Sequence, residues 1–547
     1  MKKVSEILAV HFKKWGINHV FGIPGKAVTP LILDLNHQGI EFVLSKHESG
    51  AGFEAAGYAL MNNKLAVAIG TSGPGGTNLL TAAGQAKASH LPVLFITGHP
   101  SIQDSGKALG QDSTMFGTDL VKMFEPVTKF SARVERADTF KSYFQHAIEK
   151  AYSGVKGPVH LSIAADVLAE PIAEFEMELP EELHPVAPNL DLCIDLINRP
   201  GKKVIWAGKG VHSSRAYREL KRFAETFGIP VMTTPGGKGV FESHHNLSLG
   251  AYGLGGTEEA SAYVEGGLDL MIVMGTKLSD MSLAGLNASN YPHNVIQFDY
   301  DHTFTGKSIQ VNTLPIIGDI KTNLNALFEK LHTKEVTRSP FNIEDYRVTE
   351  PAGESHANRN TSPMSAVEAV KVMNTAFDED TLLFGDDGSH TFYAIKHFDI
   401  KMPGTFYFDD VFGTMGHAIG YSIGAKLAAP EAKVVCLTGD GCTFMHGTEI
   451  STAVNYGANV IFIIFNNGKI DMVDTGMSMN LGKAVGTVYS TMLDAQKFGE
   501  SMGALAFKCY TAQELADSIE KAKLANTTVV IEAMIDPFEI PPTTKRG

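Results

Sequence analysis

Cysteine is scarce, with four in 547 residues, at positions 193, 436, 442 and 509 and no C-x-x-C among them. That excludes a disulfide-stapled scaffold and a zinc site built on paired thiolates, and a reducing cytoplasm is the expected setting. Long apolar runs are missing too. No stretch of about 18 uncharged apolar residues occurs, so no membrane span is expected. The opening MKKVSEILAVHFKKWG begins with two lysines, but Glu6, His11, Lys13 and Lys14 interrupt the apolar centre that a secretion signal needs. Basic residues fall short of acidic ones, 46 against 60, for a net charge of −14. A protein that coats nucleic acid or binds anionic lipid needs the opposite balance, so neither partner is expected. Charged residues of both signs reach only 19%, below the usual fraction of about a quarter. Much of the surface is therefore expected to be covered by other protein, as in an oligomer.

What is plentiful is glycine, 54 residues, within a chain that is 44% apolar, a globular composition rich in tight turns. At about 100–200 residues per domain the length predicts three domains. Local patterning repeats helix, strand and turn. Val4, Ile7, Leu8, Phe12 and Trp15 recur at helical spacing, Val20 and Phe21 begin a strand, and uncharged strands at 42–44, 66–69 and 93–96 alternate with helices, one of them over about 49–61. Such strands belong to a parallel sheet buried on both faces. A proline- and glutamate-rich stretch at 170–188 breaks the pattern, which resumes with strands at 204–207, 230–233, 270–273 and 295–298. A second polar stretch at 334–363, containing GESHANRNTSP, precedes strands at 382–384, 433–437 and 459–465. The expected fold is α/β, with three doubly wound parallel-sheet domains at residues 1–170, 189–333 and 363–547. The first and third share small-residue turns after buried strands but no common motif.

The most informative segment is Thr438-Gly-Asp-Gly441 at the end of one strand, with Asn466-Asn467 closing the next. Residues 443–456 are expected to form one helix between them. A crossover of this kind brings the C-terminal ends of both strands to one edge, so Asp440 and Asn467 can meet. A carboxylate and an amide carbonyl are hard oxygen donors, a poor zinc set and a good magnesium one, especially beside phosphate oxygens. Either half alone reads as an ordinary turn.

The G-D-G…N-N pair resembles the magnesium and thiamine diphosphate (ThDP) motif. The chain is similar over nearly all its length to acetolactate synthase-type members of that superfamily, through FGIPG at 21–25, KHESGAG at 46–52, TSGPGGTN at 71–78 and GTMG at 413–416. The resemblance implies a pyrimidine-binding, a middle and a diphosphate-binding domain, in that order. It implies that Asp440 and Asn467 ligate Mg2+ through their side chains and Lys469 through its carbonyl. Ser389, where the family has glutamine, and His390 would face the diphosphate. Met415 would pin the bent cofactor, with Gly413, Gly439, Gly441 and Met472 around it. Gly73 would allow close backbone approach near the pyrimidine, in a segment that lacks the lysine of a Walker loop. Glu48 alone reads as a helix-start carboxylate favoured by the helix dipole; the resemblance makes it the proton partner of the pyrimidine ring. Gln111 would reach the reacting carbon's substituents.

The departures from the family bear on substrate and second cofactor. Lys26 replaces the second glycine of a Pro-Gly-Gly turn at the pocket entrance, where a cation would attract a carboxylate, phosphate or sulfonate. His417 and Ala418 replace Phe-Gly, Asp471 replaces the glycine before Met472, and residues 474–480 lack the tryptophan with which biosynthetic synthases prefer a larger acceptor. Gly208-Lys-Gly210 with Ser213 is an incomplete dinucleotide motif. Lys277-Leu-Ser-Asp-Met281 stands where FAD-dependent members carry Arg-Phe-Asp-Asp-Arg, so FAD is not expected. The resemblance implies decarboxylative carboligation of a small 2-oxo acid, pyruvate by default, at a site shared between subunits of a homodimer at minimum and of a homotetramer by extension. Two other readings stay open: a ThDP-dependent decarboxylase, C–C lyase or acetyltransferase acting on another 2-oxo acid or aldehyde, and a non-catalytic ThDP-binding paralogue.

Overall fold

The computed structural model describes residues 1–332, 334–347 and 363–543; the GESHANRNTSP stretch, apart from its last proline, lies outside them. Three six-stranded sheets organise the chain, and every strand pair within them is parallel. Strands such as Ala66–Gly70 and Val434–Gly439 carry no charge and are buried along their whole length, as strands covered by helices on both faces must be. Strands that the periodicity did not reveal complete the sheets: Ser131–Val134 and Val159–Ala164 in the first, Ser248–Ala251 and Asn312–Ile317 in the second, and Phe406–Phe408, Leu505–Cys509 and Val529–Met534 in the third.

With the strands of each sheet numbered along the chain, the first and third sheets both run 2-1-3-4-6-5, and the middle one runs 3-2-1-4-5-6. In such sheets the chain leaves strand 1 to one side and later returns on the other, which opens a crevice beyond the C-terminal ends at that point. The crevice lies between His19–Gly22 and Ala66–Gly70 in the first sheet, Lys203–Ala207 and Leu270–Met274 in the second, and Leu382–Gly385 and Val434–Gly439 in the third.

Two glycine-rich helices, Glu48–Asn62 and His417–Ala428, lock the first and third domains together. A Cβ on Gly424 would lie 1.8 Å from the Glu54 carbonyl oxygen, and one on Gly57 2.1 Å from that of Tyr421. Only glycine permits backbones this close. Phe53, Ala56, Ile419 and Ile423 share one apolar core across the junction.

The single helix expected over 443–456 is corrected. Helix Asp440–His446 is followed by the 3-10 turn Gly447–Glu449, and Ile450–Asn455 resumes the α-helix. Tertiary bonding explains the break, because the Glu449 carboxylate accepts the backbone N–H groups of Lys46 and His47 from the first domain.

Candidate active site

The crevice of the third sheet holds a cavity of about 200 Å³. The segment after strand Leu382–Gly385 contributes Ser389 and His390, and the segment after Val434–Gly439 contributes Asp440 and Gly441. Asn467, Lys469 and Met472 follow strand Val460–Asn466, Gly413 and Met415 precede helix His417–Ala428, and Gly439 ends its own strand. Every third-domain residue expected to hold the cofactor or the metal therefore lines one cavity, whereas His417 and Ala418 line another. The glycines keep it open: a Cβ on Gly439 would sit 2.9 Å from His390 Nδ1, and one on Gly441 3.0 Å from Met415 Cε.

The cavity's polar groups are short of partners. Ser389 Oγ, His390 Nε2 and Tyr393 OH are buried with no hydrogen-bond partner on residues that line it. Buried polar atoms are rarely left so, and a diphosphate offers the oxygens that would satisfy them. Ser389 thus keeps a hydroxyl at the position where the family carries an amide. Burial pushes the His390 imidazole down to about 4, so it faces the cavity neutral. Asp440 Oδ1 accepts the Gly441 N–H and Oδ2 the Gly468 N–H, each at 2.7 Å, yet burial pushes its carboxyl up to about 6. A carboxylate held in place but without a compensating cation fits a metal seat. Asn466 serves the fold, its amide donating to the Leu493 carbonyl and to Glu532 at 2.7 Å each, while its neighbour Asn467 lines the cavity. The Lys469 ammonium is held by Asp471 at 2.9 Å and Asp474 at 3.2 Å, which leaves its carbonyl as the group it has to offer. Carboxylate, amide and carbonyl oxygens together suit Mg2+.

The first-domain residues stand elsewhere. Glu48 is buried at the start of helix Glu48–Asn62, where its Oε2 accepts the Asn78 amide at 2.9 Å. Gln111 is exposed with φ 55°, and a Cβ on Gly73 would lie 3.1 Å from its Cα. Lys26 is exposed beside the crevice of the first sheet, next to Gly25, whose missing Cβ makes room for Thr71. Glu48, Gln111, Lys26 and Gly73 do not line the third-domain cavity of their own chain.

Three groups went unweighed in the sequence. Asn78 was visible inside TSGPGGTN as a polar residue on the helix facing Glu48. Asp386 and Asp387 stood in the GDDGSH run that supplied Ser389 and His390. In the fold these two carboxylates meet His417, whose Nδ1 lies 3.3 Å from an oxygen of each and donates to the Thr414 carbonyl at 2.8 Å. Burial alone would push the imidazole down, but the two aspartate carboxylates 3.3 Å away outweigh it and hold His417 up at about 10. A raised histidine stabilises the folded chain fully below its unfolded value of 6.5, and that contribution is lost as pH rises toward 10. Urea midpoints are therefore expected to fall between pH 7 and 10. His417→Ala, which strands two buried carboxylates, is expected to cost about 3–5 kcal/mol at pH 7 in the same assay and to flatten that slope.

A larger cavity of about 610 Å³ opens at the crevice of the middle sheet, lined by Lys209, Gly210, Gly275 and Lys277 of the middle domain and by Asp409 and His417 of the third. Lys209 and Asp409 form an ion pair across it at 2.7 Å.

Three parallel α/β domains, with buried, unpartnered polar groups around a cavity in the third, match one class of cofactor-dependent enzyme. The N-terminal TPP binding domain of thiamine pyrophosphate enzymes matches residues 2–123, their central domain residues 190–327 and their C-terminal TPP binding domain residues 386–533, and the chain belongs to that family (thiamine pyrophosphate is ThDP). Within it, the chain is acetolactate synthase-like. It is 29% identical to the "Probable acetolactate synthase large subunit" of Methanocaldococcus jannaschii, over 100% of this chain and 94% of that one. It is 30% identical to the acetolactate synthase large subunit of Corynebacterium glutamicum, over 94% and 83%, and 30% identical to the acetolactate synthase of Mycobacterium bovis, over 94% and 85%.

Proposed function

We propose that this ThDP enzyme carries out decarboxylative carboligation of small 2-oxo acids, with pyruvate as donor, using Mg2+ to hold the cofactor's diphosphate. The observation that carries the reading is the third-domain cavity, where Ser389, His390 and Tyr393 bring buried polar atoms without protein partners and Asp440 brings a buried carboxyl. When bound, the cofactor supplies an electron sink for the carbon that loses CO2. The chain's own residues do the rest. Asp440, Asn467 and the Lys469 carbonyl would seat the metal, Ser389 and His390 would hold the diphosphate, and Met415 would pack against the cofactor. Glu48, fixed by Asn78, would hold a proton at the pyrimidine ring, Gln111 would stand near the reacting carbon's substituents, and Lys26 would draw the acid's carboxylate to the entrance.

Because the two halves of this machinery stand apart within one chain, we read the site as shared between two copies, in a cytoplasmic homodimer that can pair again into a tetramer. Exposed apolar side chains support this reading. Met115 and Phe116 follow Gln111, Phe444 and Met445 follow Asp440, and Val485 and Val488 follow the Lys469 segment, and all six stand in solvent in the single chain. No helix among the described residues is long and apolar enough to cross a membrane. The middle-domain crevice is read as flavin-free because of the Lys277–Met281 run. Incubation of the purified protein with ThDP, Mg2+ and pyruvate is expected to release CO2 and acetolactate, read by mass spectrometry with and without phosphate. Acetaldehyde or acetyl phosphate as the main product would overturn the carboligase reading in favour of a decarboxylase or an acetyltransferase.

A further inference from the structure

Two carboxyl groups are buried together directly behind Glu48, and the machinery above uses neither. Glu449 and Glu54 both have no exposed surface. Glu449, carried by the 3-10 turn that interrupts its helix, receives donors on both oxygens. Oε1 accepts the His47 N–H at 2.8 Å and the Lys46 N–H at 3.1 Å, and Oε2 accepts Lys46 N–H at 3.0 Å and the Thr452 hydroxyl at 2.6 Å. These N–H groups belong to the two residues that precede Glu48. Glu54 sits further along the Glu48 helix, where its Oε2 accepts the Ser45 hydroxyl at 2.6 Å. Its Oε1 meets no donor and stands near the Glu449 carboxylate, whose charge acts on it, one helical turn beyond Gly50. Gly50 makes the approach possible, since a Cβ there would lie 2.2 Å from Glu449 Oε1.

The proton count follows from these partners. Glu449 is surrounded by donors and is the carboxylate. Glu54 has one oxygen facing a donor and the other facing an anion, and that second oxygen is satisfied only if it bears a proton. Among the described residues the cation acting on the pair is Lys46, which turns its ammonium to the Leu44 carbonyl at 2.9 Å and to Thr452 at 3.4 Å. The other titratable groups around the pair are Glu48 on the same helix, His47 with its ring 6.1 Å from His446, and Tyr421 on the facing helix.

We propose that Glu54 is a positioning residue: protonated, it donates to Glu449, and the pair grips Ser45, Lys46 and His47 so that the loop presents Glu48 to the cofactor from a fixed place. This rests on the reading of Glu48 as the ring's proton partner. The grip joins two domains, because Ser45 to His47 belong to the first and Glu449 to the third. Loss of the Glu54 proton would set two carboxylates against each other and release the loop, and both burial and the Glu449 charge push the Glu54 carboxyl well above the usual range.

The test uses the intact holoenzyme and three variants. Infrared titration of the wild type is expected to show a protonated-carboxyl stretch that shifts in D2O and disappears at alkaline pH together with kcat. Glu54→Gln, which can still accept from Ser45 and donate to Glu449, is expected to lack that band and to carry its alkaline limb at least about one pH unit higher. Glu54→Ala is expected to lower kcat about tenfold with the pyruvate KM unchanged, and Glu54→Gln to recover most of that loss. A wild type without the band, a Glu54→Gln variant that retains it, or identical alkaline limbs in the two proteins would overturn the proposal. Should Glu54→Gln fail to fold, the wild-type band and its joint loss with kcat decide the matter alone. Glu48→Gln separates the two readings. Full activity there defeats the role of Glu48, whereas the infrared band reports on Glu54 in either case.

Discussion

Glu48→Gln is expected to abolish turnover by about 10²–10⁴-fold while the protein still folds and still takes up ThDP. The substitution is nearly isosteric, and the Asn78 amide that now donates to Glu48 at 2.9 Å finds an amide oxygen in its place. The loop ahead of it is held by Glu449 and Glu54 through backbone N–H groups and Ser45, none of which the change touches. Fold and cofactor uptake therefore have no reason to move by more than the worth of one hydrogen bond, about 1 kcal/mol. What disappears is a side chain able to give and take a proton. Steady-state kinetics beside calorimetric ThDP titration make the comparison, and a variant that turns over as fast as wild type would remove Glu48 from the chemistry.

The same contrast between local and non-local determinants explains which parts of the molecule could be read from the sequence. The GDG and NN halves are each four residues or fewer, stand at the ends of strands that are buried along almost their whole length, and announce their chemistry by residue type, so the convergence of Asp440 and Asn467 on one cavity could be anticipated. Ser131–Val134 alternates buried and half-buried residues at the edge of its sheet, and Phe406–Phe408 is three residues long. Neither rises above the surrounding pattern. The strand order shared by the first and third sheets exists only in hydrogen bonds between distant segments, which is why it left no common motif. Gly447 stood inside a helical pattern, where one glycine weakens a helix by only about 1 kcal/mol; the break was decided by donors on another domain. His417 was recognisable as a departure, but its charge depends on Asp386 and Asp387, and nothing local to position 417 reveals them.

Asp440→Ala is expected to fail one step earlier than Glu48→Gln. The carboxylate is the only charged member of the oxygen set formed with Asn467 and the Lys469 carbonyl, so its removal leaves a divalent ion with neutral ligands and the diphosphate with no counter-charge fixed to the chain. Charge-assisted contacts of this kind are worth roughly twice neutral ones, and a loss of about 3 kcal/mol or more corresponds to over about 100-fold in ThDP affinity. The Gly441 and Gly468 N–H groups, now bonded to Asp440 at 2.7 Å, would also lose their acceptor at about 1–3 kcal/mol each. Calorimetry should then find ThDP uptake weak and insensitive to Mg2+, where Glu48→Gln binds normally without turning over. Asp440→Asn, which keeps the shape and one acceptor, sorts the two causes, because affinity restored by asparagine would assign the loss to loop geometry, whereas affinity still lost would assign it to the missing charge. Metal-dependent uptake by Asp440→Ala at the wild-type level would place the cation somewhere other than this cavity, and the division of labour between a first-domain proton and a third-domain metal would have to be abandoned.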